Sequence, residues 1–126
     1  MKSILSLLGA FIVSAASVWA GDAPYRHVVL FKFKDTSSKE DVQKVEKAFV
    51  ALKDKIDLIQ DFEWGTNVSP EGLDDGFTHC FLATFKNKAD LEAYLPHPDH
   101  KKFVEILKPH LDKVLVVDYV AKSGAE

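Results

Sequence analysis

Four runs of β-branched and aromatic residues are interspersed along this chain with two regions of helical periodicity. The first run, His27-Val28-Val29-Leu30-Phe31-Lys32-Phe33-Lys34, predicts a strand. Its odd positions carry His27, Val29, Phe31 and Phe33; its even positions carry Val28 and Leu30 and then Lys32 and Lys34. Both faces are apolar at the start of the strand, so both need a cover. Asp35-Thr36-Ser37-Ser38 follows as capping sequence, with Ser37 three residues before Glu40 as a capping box. Val42, Val45, Phe49, Leu52 and Ile56 recur at spacings of 3, 4, 3 and 4, the stripe of an amphipathic helix that ends near Lys55.

Ile59 to Asn67 predicts a second strand, with Phe62, Trp64 and Thr66 on one side and Asp61, Glu63 and Gly65 on the other. Gly65 in mid-strand predicts a bulge or a close backbone approach. Ser69 to Gly76 is a loop by composition. The third strand, Phe77 to Lys86, alternates Phe77, His79, Phe81, Ala83 and Phe85 with Thr78, Cys80, Leu82 and Thr84. A short helix from about Lys88 to Leu95, a longer one from Pro98 to about His110, and a last strand from Val114 to Val120 complete the order.

Strand, helix, strand, strand, helices, strand is the β-α-β-β-α-β order of ferredoxin-like folds, an α+β class with four antiparallel strands and helices on one face. The other face is left bare, yet Val28, Leu30, Cys80 and Leu82 make it apolar. A second copy of the same sheet, related by a two-fold axis, is the most economical cover, so a homodimer is expected.

The 126 residues suit one domain. With 16 basic and 19 acidic side chains the chain lacks the footprint of a nucleic-acid binder. Residues 1–20 read as a secretory signal peptide: Lys2, an uncharged run from Ile4 to Val13, then Val18-Trp19-Ala20 before Gly21-Asp22. The uncharged run from Ser3 to Gly21 is also just long enough to anchor in a bilayer. Cleavage is the expectation, which makes the protein exported, periplasmic or secreted, with no membrane association afterwards and a single domain over residues 21–126. Cys80, the only cysteine, has no partner for an internal disulfide.

Reactive groups are densest in Tyr94-Leu95-Pro96-His97-Pro98-Asp99-His100. With Pro98 at the first helical position, Asp99 and His100 fall in the first turn, where the helix dipole favours a neutral imidazole that can serve as a base. His100 shares its stripe with Phe103, Leu107 and Leu111, so it faces the sheet. Tyr94, at the end of the preceding helix, reaches the same space and offers a hydroxyl to a carbonyl or enolate oxygen. If the histidine faces of the first and third strands point at the helices, His27, His79, Tyr94 and His100 border one apolar cavity walled by Phe31, Phe49 and Phe81. The competing account makes these packing and capping residues, with His97 at a turn and His27 and His79 bonded to Asp118 or water. No third ligand has a recognisable spacing to His97 and His100, so no metal is expected.

The residues quoted above, together with Gly65-x-Asn67-x-Ser69, Thr78-His79, Thr84-Phe85, Tyr94-x-x-His97-Pro98-x-His100-x-x-Phe103 and Val117-Asp118-Tyr119, resemble the stress-responsive dimeric α/β barrel (Dabb) domain over about residues 26–120. The resemblance implies a ferredoxin-like protomer whose sheet pairs with another into a homodimeric barrel. A plant member is a polyketide cyclase that closes a linear poly-β-keto acid by aldol condensation without metal or organic cofactor. The histidine matching His100 is its base, the tyrosine matching Tyr94 assists, and histidines matching His27 and His79 line the pocket. A tyrosine of that cyclase falls on Phe49 here, so one polar contact is missing. The expectation is therefore a homodimer that binds a small aromatic or carbonyl-bearing ligand without a cofactor, with His100 and Tyr94 as the pair for chemistry and Phe31, Phe49 and Phe81 as walls. The alternative is a structural or stress-protective dimer with no chemistry.

Overall fold

The computed structural model describes residues 23–124; the expected signal peptide and its cleavage point lie outside them. Strand β1 (Tyr25–Phe33) is followed by helix α1 (Lys39–Lys55), strands β2 (Ile59–Thr66) and β3 (His79–Phe85), helices α2 (Lys88–Tyr94) and α3 (Pro98–Leu107), and strand β4 (Leu111–Val120). All strand pairs are antiparallel, and the sheet order is β2-β3-β1-β4. This is the ferredoxin-like α+β arrangement that the element order predicts, with the helices on one face.

The odd positions of β1, from Tyr25 to Phe33, are buried and the even positions only partly so, because helices cover one side alone. Phe49 of α1 is the centre of the core. It stacks on Phe103 of α3 at 4.3 Å, Phe81 of β3 at 4.5 Å and Phe31 of β1 at 5.8 Å between ring centroids. One side chain thus joins two helices to the central strands, and its truncation to alanine costs about 3–5 kcal/mol for a ring so enclosed.

Helix α1 starts one residue later than its capping sequence predicts. Ser38 is the cap, its hydroxyl accepting from the Asp41 amide at 3.0 Å, and the Asp41 carboxylate accepts from the Ser38 amide at 3.2 Å. Aspartate performs the return bond expected of Glu40, because only the residue three beyond the cap is within reach. Helix α3 stops at Leu107 and tightens into a 3-10 turn over Lys108–His110, since Pro109 has no amide to continue the ladder. The irregularity of β2 lies between Ile59 and Asp61, and Gly65 sits in regular register opposite Cys80 with open space around its α-carbon. Thus Gly65 is not a bulge.

Candidate functional site

Tyr94 is placed by a short, well-terminated helix. Asn87 caps α2 by accepting from the Asp90 amide at 2.9 Å, and Leu91 and Tyr94, three residues apart, form its buried face. The chain then turns, with the His97 amide donating to the Tyr94 carbonyl at 3.0 Å. His97 is the cap of α3: its Nδ1 accepts from the Asp99 amide at 3.1 Å, with Pro98 at the helix start and Asp99 in the first turn. His97 therefore has a structural task, as a turn residue should.

His100 in that first turn donates from Nδ1 to the Leu95 carbonyl at 2.9 Å. A carbonyl can only accept, so Nδ1 carries the proton and the lone pair of the neutral ring lies on Nε2. Burial pushes the His100 pKa below the usual imidazole value; the Leu95 bond opposes this, and nearby His27 and His97 add to it. The ring is held as a neutral base. Its plane lies against the Tyr94 ring, with centroids 4.4 Å apart.

On the other side of Tyr94, at 6.1 Å, is His27 of β1. His27 Nδ1 donates to Asp118 of β4 at 2.6 Å, and the Tyr25 hydroxyl donates to the second carboxylate oxygen at 3.3 Å. The pairing follows from register, since His27 and Asp118 are opposite one another across β1 and β4. Asp118 is the one charged residue in the run Val114–Val120, and its bond is the one the competing, structural account expected for His27, although His79 takes Glu46 instead.

Tyr94 lies fully buried between these two imidazoles. Among the described residues its hydroxyl is the buried side-chain polar atom with no hydrogen-bond partner, and burial drives its pKa far up. A buried hydroxyl left unpaired costs about 1–3 kcal/mol. It stays a proton donor at any physiological pH.

These groups border a cavity of about 260 Å³ between sheet and helices. Of the residues singled out from the sequence, His27, Phe31, Phe49, Tyr94 and His100 line it. Phe103 and Leu107, which periodicity placed on the stripe facing the sheet, and Val114 and Val116 of the last strand add apolar walls. Phe81 lies behind Phe49, packed on it and away from the cavity.

His79 does not join them, which corrects the expectation of four polar groups around one space. It is buried on the same face as His27, but it stands opposite Phe31 whereas His27 stands opposite Ala83. The two imidazoles are thus four residues apart along the sheet, roughly 13 Å at strand rise. His79 donates from Nε2 to Glu46 of α1 at 2.6 Å, and its Nδ1 meets the Thr78 hydroxyl at 2.8 Å. The Trp64 ring lies parallel to it at 6.1 Å and Phe33 meets it edge-on at 4.9 Å. Both ring nitrogens of His79 are therefore taken.

Residues 25–121 match the model of the Stress responsive A/B Barrel Domain, Dabb. The chain is 42% identical over 100 residues to the stress-response A/B barrel domain-containing protein HS1 of Arabidopsis thaliana, covering 79% of this chain and 92% of that one. It is 28% identical over 98 residues to olivetolic acid cyclase of Cannabis sativa, covering 78% and 97%. Among solved structures, hydroxynitrile lyase from Passiflora edulis superposes with a TM-score of 0.75 at 25% identity, covering 80% and 95%. A dimeric ferredoxin-like protein of unknown function from Bacteroides fragilis superposes with a TM-score of 0.64 at 29% identity, covering 78% and 96%.

Proposed function

The chain belongs to the stress-responsive A/B barrel (Dabb) domain family, and from that premise we propose that it is a homodimer whose cavity binds a small carbonyl compound and moves a proton on it. The observation that carries this reading is the Tyr94 hydroxyl, buried without a partner beside two imidazoles of fixed tautomer. A ligand carbonyl oxygen supplies the missing acceptor. His100 Nε2 then takes the proton from the adjacent carbon, and the electron pair moves onto the oxygen held by Tyr94. His27, oriented by Asp118, leaves Nε2 as a second acceptor on the same rim.

The cavity is below the roughly 300–1,000 Å³ of drug-sized sites, so the ligand is small. Its far wall of Phe31, Phe49 and Phe103 asks for an aromatic ring or a short alkyl tail. Two proteins named as a cyclase and a lyase are similar to this chain over most of its length, which supports chemistry of this kind. Dimeric neighbours support the homodimer.

Benzoylacetone, a small diketone with one aromatic end, tests the reading. The wild-type protein is expected to bind it in calorimetry and to accelerate its enolisation in stopped-flow absorbance. His100→Ala is expected to keep the melting temperature within a few degrees and to lose that acceleration. An unchanged rate in the variant removes His100 from the chemistry, and absence of binding by the wild type favours the purely structural dimer.

We propose as well that residues 1–20 are removed on export, on the strength of Lys2, the uncharged run and the small residue Ala20. Mass spectrometry of protein from the native host checks this: a mature chain starting at Gly21 supports it, and a retained Met1 overturns it.

A further inference from the structure

The cavity has three walls from its own chain and one that is only half built. Val29 and Phe31 form the floor, Tyr94, His100 and Phe103 the roof, and Phe49 one side. The remaining side is β4, which lies at the edge of the sheet with nothing beyond it. There Val114 and Val116, although they line the cavity, are 47% and 49% exposed.

Strand β4 shows apolar side chains on both of its faces. Leu115, Val117 and Tyr119 share the bare face of the sheet with Val28 and Leu30, while Val114, Val116 and Val120 are on the helix side. A second sheet stacked on the bare face covers only the first three. Covering the others takes material placed alongside the β4 edge, and an unpaired edge strand of ten residues with the apolar run Val114–Val117 at its centre is a template for aggregation.

The one other free edge of the sheet is β2. On its helix side Trp64 is 40% exposed, next to Val50 of α1 at 39%, and the two share a groove with Ala51 rimmed by Gln43, Lys47 and Asp54. Pairing β4 with the partner's β2, twice over by the two-fold axis, turns two four-stranded sheets into one closed eight-stranded barrel with no edge. Its interior takes the aliphatic residues of the two bare faces, which suits the width of eight strands. Residues next to one another on paired strands share a face, so the helix side of β4 then abuts the helix side of the partner's β2.

We infer that the second copy of the chain supplies the missing wall: the partner's Trp64 and the partner's Val50 cover Val114 and Val116 and close the cavity along β4. The inference rests on the ligand reading above only for what is enclosed. Each site is composite, with its polar groups from one subunit and its lid from the other.

Cross-linking tests the geometry without any ligand. In a Cys80→Ser background, chains carrying Trp64→Cys and chains carrying Val116→Cys are mixed, refolded together and treated with bismaleimidoethane. A covalent dimer from the mixture, absent from either variant alone, is expected; no cross-link in the mixture overturns the inference. The pair Val50→Cys and Val114→Cys repeats the test without touching the Trp64 stack.

Mixed dimers test the lid. Val50→Asp is expected to weaken benzoylacetone binding at least tenfold in calorimetry. Co-refolding it with an equal amount of His100→Ala restores one working site in each mixed dimer, about a quarter of the wild-type enolisation rate when the chains pair at random, because that site joins an intact His100 to an intact lid. Wild-type binding by Val50→Asp, or no recovery on mixing, overturns the shared site. Should the wild type itself fail to bind benzoylacetone, the ligand reading falls while the cross-link still decides the lid.

Discussion

The two ends of the β1–β3 pair contain the same ingredients and have opposite outcomes. At each end a buried histidine on the helix side of the sheet donates to a carboxylate at 2.6 Å, His27 to Asp118 and His79 to Glu46. Around His79 the space is filled by Trp64, Phe33 and Phe81, and the second ring nitrogen is taken by Thr78. Around His27 there remain a void, an unpaired tyrosine hydroxyl and a second imidazole with a free lone pair. A buried histidine–carboxylate pair therefore does not by itself mark a site. What marks it is polar capacity left over next to empty space.

That contrast is open to attack, first through the chemistry. His100→Ala is expected to slow benzoylacetone enolisation by about 10²–10⁴-fold, the usual contribution of a positioned base; His79→Ala in the same stopped-flow assay should stay within a few-fold of wild type. Comparable losses in both would erase the distinction between the ends. Next in size is stability. His79→Ala strands the mostly buried Glu46 carboxylate and is expected to cost about 3 kcal/mol in urea unfolding, the low end for breaking a buried pair.

Tyr94→Phe sharpens the comparison from the other side. It removes a hydroxyl that the empty protein leaves unsatisfied, so stability should be unchanged or rise by about 1 kcal/mol, while benzoylacetone affinity drops roughly tenfold for the lost hydrogen bond. A clear loss of stability would mean that the hydroxyl has a partner after all. The smallest effect is the pH dependence of His100. Above the ordinary imidazole value the ring is neutral in both folded and unfolded chains and contributes nothing to the slope. As pH falls from there through the lowered folded value, the unfolded chain binds the proton more readily, and stability declines. Unfolding curves of wild type and His100→Ala should converge on acidification, and enolisation should fade over the same window.

The sequence made the architecture legible because period and punctuation agreed with it. The spacing of Val42, Val45, Phe49 and Leu52 announced α1, and the two-faced β1 announced a sheet that needs a second cover. The Tyr94–His100 half of the site was legible for a local reason, as a capped helix start fixes where its first turn points. Placement of His79 was not. His27 and His79 each stand near the start of a strand, and equal positions look like neighbours until direction is considered. In antiparallel strands two starts are at opposite ends, so the repeated placement separated the rings. The lag of one residue at the Ser38 cap has a similar origin, because Ser37 and Ser38 are chemically equivalent and only the turn before them selects one.

Cys80 points from the bare face of the sheet and is exposed in the single chain. In a closed barrel this thiol would be shut inside, among the aliphatic side chains of both subunits. Its alkylation then becomes a clock for the opening of the assembly: slow and independent of reagent at high protein concentration, faster as dilution frees the subunits. One cysteine without an internal disulfide partner thus gives the protein a label whose reactivity reports how long each pair of subunits stays together.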